Sequence, residues 1–95
     1  MATYVILSRM TPGAFHDPAD FKKVVQSVIT TIERECPGVV FKDSYATMGR
    51  FDFVDIVECD DPAQVEKAVI IMRACGQSET ETLAATPFRD FLARH

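Results

Sequence analysis

Two strand-like runs separated by a glycine decide the fold, and both lie in the segment 39–59, VVFKDSYATMGRFDFVDIVEC. The runs Val39 to Met48 and Phe51 to Cys59 are rich in the β-branched and aromatic residues that favour strands. Gly49-Arg50 between them suits a two-residue type II′ turn, because glycine adopts a positive φ without strain. The segment therefore predicts an antiparallel β-hairpin.

A helix and a further strand flank this hairpin on each side. Asp17-Pro18 and Asp61-Pro62 each place a capping carboxylate before a proline, which is typical of a helix start. Apolar residues then recur every three or four positions, as they do on one face of a helix. In chain order the predicted elements are Thr3 to Arg9, Pro18 to Arg34, the two hairpin strands, Pro62 to Cys75, Gln77 to Thr86, and a short docked helix from Phe88 to Arg94.

This βαββαβ order predicts an α+β, ferredoxin-like domain that spans residues 1–95. Right-handed crossovers give a four-stranded antiparallel sheet of order 4-1-3-2, with the helices on one face. The polar second and fourth strands suit its edges. A chain of 10.6 kDa leaves no room for a separate cofactor domain.

Composition and charge exclude several classes of function. A net charge of −4 without a basic cluster argues against nucleic acid as a partner. The chain shows no membrane span and no secretory signal, so we expect a cytoplasmic protein. The three cysteines, Cys36, Cys59 and Cys75, lack the spacing of a zinc site, so we expect small buried side chains, no metal and no cofactor.

Apolar residues on both faces of the central strands predict self-association. On the first strand Val5 and Leu7 alternate with Tyr4 and Ile6, so both faces of the sheet are apolar, and the helices cover only one. A second copy of the chain is the expected cover, in a homodimer or a larger homo-oligomer. The alternative is a monomer in which the C-terminal segment folds over this face.

The hairpin register predicts which side chains lie on the uncovered face. Opposed residues share a face, and the two-residue turn pairs Ala46 with Phe53 and Ser44 with Asp55. The uncovered face then holds the predicted dimer-interface residues and two others: Phe51, Phe53, Val57, Met48 and Asp55. Side chains of the other parity point to the helices: Tyr45, Val54 and Ile56.

Five residues are candidates for a binding or catalytic site. Asp55 lies among apolar neighbours, which suits a general acid or base but equally a structural ion pair. Tyr45 is either a core residue with its hydroxyl at the sheet rim or an acid. His16 is either a solvated loop residue or part of a crevice beside the first helix. Asp52 either bonds the turn or binds a ligand, and Arg9 is either a surface charge or a carboxylate clamp.

The segment Tyr45 to Glu58 resembles the signature of the GYD domain family, in which a glycine is followed by an aromatic-Asp pair that opens the third strand. The opening Thr3 to Ser8 and the later Thr80 to Leu83 are similar to this family too. The resemblance implies a ferredoxin-like, dimeric α/β-barrel, but no settled reaction. Phe51 stands where the family has tyrosine.

Two functions remain open from the sequence. The first is an oligomeric module that binds a small molecule or merely assembles, since no nucleophile elbow, phosphate loop or metal motif is present. The alternative is a cofactor-independent monooxygenase-like or isomerase-like enzyme that acts on a small organic substrate in a cavity between sheet and helices. That alternative rests on analogy of fold, with His16 or Asp55 as the base.

Overall fold

The computed structural model describes residues 1–13 and 17–95. Its elements follow the predicted order, with a third helix after the last strand. They are β1 (Ala2–Met10), α1 (Pro18–Glu35), β2 (Val40–Ala46), β3 (Phe53–Cys59), α2 (Pro62–Cys75), β4 (Ser78–Ala85) and α3 (Phe88–Arg94). No helix in these residues is long and apolar enough to cross a membrane.

The four strands form one antiparallel sheet of order β2-β3-β1-β4, which is the predicted order counted from the other edge. β2 and β4 lie at the edges as expected, and every residue of β2 is exposed. Both long helices pack on one face of this sheet, where they enclose the core. The ferredoxin-like arrangement predicted from the sequence is therefore confirmed.

The two long helices begin with the same hydrogen bond. The carboxylate of Asp17 accepts from the amide of Ala19 at 3.0 Å, and that of Asp61 accepts from Ala63 at 3.0 Å. A proline follows each cap, where its missing N–H leaves no helical hydrogen bond unmade. The cap-and-proline pattern thus locates both helix starts correctly.

The hairpin has the predicted register but a wider connection. Ala46 pairs with Phe53 and Ser44 with Asp55, as expected. The strands stop there, so residues 47–52 connect them instead of a two-residue turn. Gly49 has a φ of +146°, a conformation that side chains rarely permit.

A β-bulge interrupts the ladder between β2 and β3. Phe41 pairs with Val57 and Asp43 pairs with Ile56, which leaves Lys42 as the extra residue. The extra residue of such a bulge reverses the alternation of side chains between the two faces of the sheet from that point on.

The predicted assignment of the two faces of β3 is wrong. Val57 is fully buried in the core beneath the helices, and Phe53 stacks on Phe21 of α1 with ring centroids 5.7 Å apart. The strand has apolar side chains at both parities, so its own pattern does not distinguish the faces. Pairing with β1 decides, because fully buried Ile6 lies opposite Asp55 and opposed residues share a face.

It follows that Phe53 and Val57 lie on the helix side, not on the uncovered face where a dimer interface was expected. The uncovered face instead carries a strip of half-buried and exposed apolar side chains from the three strands β1, β3 and β4. We call this the open face, and its apolar residues are Val5, Leu7, Val54, Ile56 and Leu83.

The core lies between α2, the C-terminal half of α1 and the two central strands. Its buried apolar residues are Ile6, Ile32, Cys36, Val39, Val57, Cys59, Val65, Ala68, Ile71 and Met72. Two cysteines are buried as predicted, but Cys75 is exposed at the end of α2.

The C-terminal helix α3 forms as predicted, but it is not docked on its own chain. None of its residues is buried, and Phe88 is 71 % exposed. Phe88 and Phe91 stack on each other with ring centroids 5.9 Å apart. The expectation of a helix packed on this chain is therefore wrong, and α3 presents an apolar surface outward.

Candidate functional site

A groove lies between α1 and the sheet in the described part of the chain. Its volume is about 370 Å³. One wall is the apolar stripe of α1, formed by Val24, Val25, Val28 and Ile29. We call this cavity the α1 groove.

Small residues on the sheet explain why the α1 groove stays open. Ser44 and Ala46 of β2, together with Ser8 of β1, line its floor. Their side chains are too short to fill the space beneath the valines of α1. Phe41 and Phe53 add aromatic walls on either side.

Asp55 is the candidate residue that the α1 groove contains. It lies on β3 between Ser44 and Ile6, and it lines the cavity. Burial raises the pKa of Asp55 above its ordinary value, and a hydrogen bond with the Ser44 side chain partly offsets this rise. The carboxyl group can therefore accept a hydrogen bond, hold a cation or take a proton.

Tyr45 borders the same groove from the edge strand. Its neighbours Ser44 and Ala46 point toward α1, so its own side chain alternates to the other face, where it is 56 % exposed. The expected core position of Tyr45 beneath the helices is therefore wrong.

Asp52 holds the wide hairpin loop against β1. Its carboxylate accepts from the amide of Met10 at 2.8 Å, and its own amide donates to the carbonyl of Ser8 at 2.9 Å. These bonds match the turn-stabilising alternative that the sequence offered for Asp52. The same carboxylate lies outside the lining of the α1 groove.

Arg9 lies on the opposite side of the sheet from Asp55. It forms an ion pair with Glu79 of β4. Arg50 and Phe51 lie beside this pair, around a second hollow of about 300 Å³. Arg9 and Asp55 thus belong to different surfaces, so the structure does not bring them together in one site.

His16 lies outside the described residues. The proposed crevice around it therefore stays a prediction.

The enzymatic alternative drawn from the sequence places a cavity between the sheet and the helices, but its lining was not predicted, because Phe53 and Asp55 were expected on the uncovered face. One feature of the sequence could have indicated the groove: the alternate residues Ser44 and Ala46 of β2 are both small, and they lie opposite large residues of the helix. A second was hidden, because the bulge at Lys42 that brings Phe41 to the same side leaves no mark in the sequence pattern.

Comparison with curated proteins identifies a relative of nearly equal length. The glutamine synthetase and cystathionine beta-lyase binding protein of Thermus thermophilus is 33% identical over 94 residues. The match covers 99% of this chain and 98% of that protein.

Solved structures of low sequence identity share the fold alone. A hypothetical protein from Pyrococcus horikoshii is 20% identical, with a TM-score of 0.56 and 92% of each chain covered. A Caulobacter crescentus protein classed with antibiotic biosynthesis monooxygenases is 15% identical, with a TM-score of 0.51 and coverage of 90% of this chain and 91% of that one.

The family profile of the GYD domain matches residues 4–93, nearly the whole chain. It includes the hairpin that carries the signature and the strands that form the α1 groove. The chain therefore belongs to the GYD domain family.

Proposed function

We propose that this protein is a homodimeric binding module that holds a small molecule in the α1 groove. The observation that carries the proposal is an apolar cavity of about 370 Å³ with a carboxyl group on its floor. Small-molecule sites have this character, with volumes of about 300–1,000 Å³, mostly apolar walls and a few polar groups that orient the ligand.

The open face supports the dimer. Val5 pairs with both Ile56 and Leu83, and Leu7 pairs with Val54, so the five side chains form a continuous strip across three strands. Such a strip loses contact with water when a second copy packs against it, and burial of apolar surface drives association.

α3 supports the same assembly. A seven-residue helix is too short to be stable in water on its own, since isolated helices below about 12–15 residues are marginal. Its exposed Phe88, Phe91 and Leu92 need a surface to pack on. We infer that the second copy supplies that surface.

Methyl NMR with 2-phenylethanol, a small neutral probe, tests the ligand site. Saturable shifts are expected at Val25, Val28 and Ile29, which line the groove. Ala46→Phe should abolish these shifts by filling the floor of the groove. The matched control Ala84→Phe changes an exposed alanine on the other edge strand and should leave them intact.

The proposal of a ligand site would be overturned if the unmutated protein gave no saturable shifts with this probe or with charged probes of the same shape, or if the shifts were confined to the open-face methyl groups. Binding that persists unchanged in Ala46→Phe would also contradict it.

Sedimentation velocity tests the dimer. The unmutated protein should sediment as a dimer, and Val54→Asp should convert it to a monomer by placing a charge within the open face. Ile70→Asp, at an exposed position of α2, is the control that should remain dimeric. A monomeric unmutated protein would overturn this part of the proposal.

A second candidate function is attachment to a metabolic enzyme. The relative that favours it is named for binding glutamine synthetase and cystathionine beta-lyase, and it matches this chain end to end. Mixing this protein with each purified enzyme should give a faster-sedimenting complex with at least one of them. Independent sedimentation with both would overturn this candidate. The enzymatic alternative, with Asp55 as a base, stays a prediction.

A further inference from the structure

We propose that the α1 groove selects an amphiphilic cation, a small molecule whose apolar body lies along α1 and whose protonated amine pairs with Asp55. This inference rests on the proposed function of the groove and adds the chemical class of its ligand. Among the described lining residues, the charged side chains are Asp55 and Glu33, and both are acidic.

The position of Asp55 suits a cation partner. The carboxylate is fixed in the middle of the sheet by ladders on both sides, opposite Ile6 and Ser44. Ser44 satisfies part of its capacity to accept hydrogen bonds, and a carboxylate has about four acceptor sites. None of the ion pairs among the described residues involves Asp55. An ammonium group in the groove would supply the missing partner.

The rest of the groove suits an apolar body. Val25, Val28 and Ile29 form one wall, and Phe41 and Phe53 line the cavity with them. An alkyl or aromatic group between these side chains leaves water on binding, which favours the complex. The hydroxyl of Ser44, directly opposite Asp55, can accept a further N–H group of the amine.

The same lining disfavours an anion. A carboxylate ligand would lie near Asp55, and Glu33 would add to the repulsion from the rim of the groove. A neutral alcohol of equal size would keep the apolar contacts but lose the charge-assisted hydrogen bond. The groove therefore discriminates by charge among ligands of one shape.

Three probes of one shape test the inference: 2-phenylethylammonium, 2-phenylethanol and 3-phenylpropanoate. Titration by calorimetry and methyl NMR should rank the ammonium first and the carboxylate last. Asp55→Asn should weaken the ammonium by roughly tenfold to a hundredfold, the range expected for a hydrogen bond between charged groups, and leave the alcohol unchanged.

Asp43→Asn is the matched control. Asp43 lies on the neighbouring edge strand β2 and pairs with Ile56 on the open face, so its replacement should not change the ranking. The comparison of the three probes on the unmutated protein does not depend on any variant folding.

The possible results separate this inference from the proposed function. Equal binding of all three probes would overturn selection by charge, yet the groove would remain a ligand site. Loss of ammonium preference in Asp43→Asn, or its retention in Asp55→Asn, would overturn the role of Asp55. Failure of every probe to shift the groove methyl groups would overturn the ligand site itself.

Discussion

The helices α1 and α2 begin with the same capping bond, yet they contact the sheet differently. α2 buries four residues, Val65, Ala68, Ile71 and Met72. α1 is four residues longer and more strongly amphipathic, but it buries Ile32 alone. α2 packs closely on the sheet and completes the core, whereas α1 forms a wall of the α1 groove.

This difference shows that an amphipathic pattern indicates which face of a helix lies against the sheet, but not how closely the helix packs on it. Closeness depends on the size of the side chains opposite. Ile6 and Val57 belong to the core cluster that α2 completes, whereas Ser44 and Ala46 lie on the groove floor opposite α1. A stripe of valines can therefore line a binding site as readily as a core.

The largest expected effect comes from truncating one isoleucine on each helix. Ile71 of α2 is 8 % exposed and Ile29 of α1 is 46 % exposed. Ile71→Ala should lower the free energy of unfolding by about 2–5 kcal/mol, because it removes buried methyl groups and leaves a cavity. Ile29→Ala should cost below about 1 kcal/mol. Urea denaturation measures both, and equal losses would show that α1 is packed as closely as α2.

Enlarging one alanine in the core and one in the α1 groove gives the next largest effect. Ala68 of α2 is fully buried in the core, so Ala68→Leu should cost about 1–3 kcal/mol through overpacking. Ala46 lines the α1 groove, which has space for a larger side chain, so Ala46→Leu should leave the melting temperature nearly unchanged. A comparable fall in melting temperature for the two variants would contradict an open groove.

Removing the capping carboxylates of the two helices should have a smaller effect, a loss of stability of about 1 kcal/mol at most. Asp61→Ala and Asp17→Ala each remove one capping bond of 3.0 Å. The loss for Asp61→Ala should be about 1 kcal/mol in global stability, because α2 is part of the core. Asp17→Ala should instead show mainly as faster amide exchange in the first turn of α1. Residue-resolved hydrogen exchange distinguishes these two outcomes. Equal losses of global stability in the two variants would contradict the difference in packing between α1 and α2.

The smallest effect is expected from Asp55→Asn, and it depends on pH. Because burial raises the pKa of Asp55 above the ordinary 3.8, the folded protein binds this proton more tightly than the unfolded chain. Stability contributed by this group therefore falls as pH rises from about 3.8 through the raised pKa. The variant should be more stable than the unmutated protein at neutral pH, and the difference should vanish in acid below that window. A gain that persists unchanged in acid would mean that titration of Asp55 is not its cause.

The fold was predictable because its signals are local and repeated. Asp17 and Asp61 mark helix starts by a bond within the first turn, and Gly49 marks the hairpin by its backbone conformation. Strand order follows from polar edge strands and the handedness of the crossovers. None of these features depends on how tightly the layers pack.

The site was predictable only in part, because it depends on parity and on packing. Asp55 was identified from its apolar neighbours, and it does line the groove. The face on which it lies was predicted wrongly, since Phe53 and Val57 are as apolar as Val54 and Ile56 and the strand pattern favours neither side. Only the register with β1, a contact between residues about fifty positions apart in the chain, resolves the choice.

The extra residue in β2 has a consequence for relatives of different length. Phe41 and Ser44 are three positions apart, a spacing that sends side chains of a regular strand to opposite faces, yet both line the groove because Lys42 is inserted between them. A homologue with a single-residue deletion here would keep its hydroxyl and turn its aromatic ring outward. Insertions and deletions in this strand, more than substitutions, should therefore decide whether a GYD protein has an aromatic side chain in the wall of its groove.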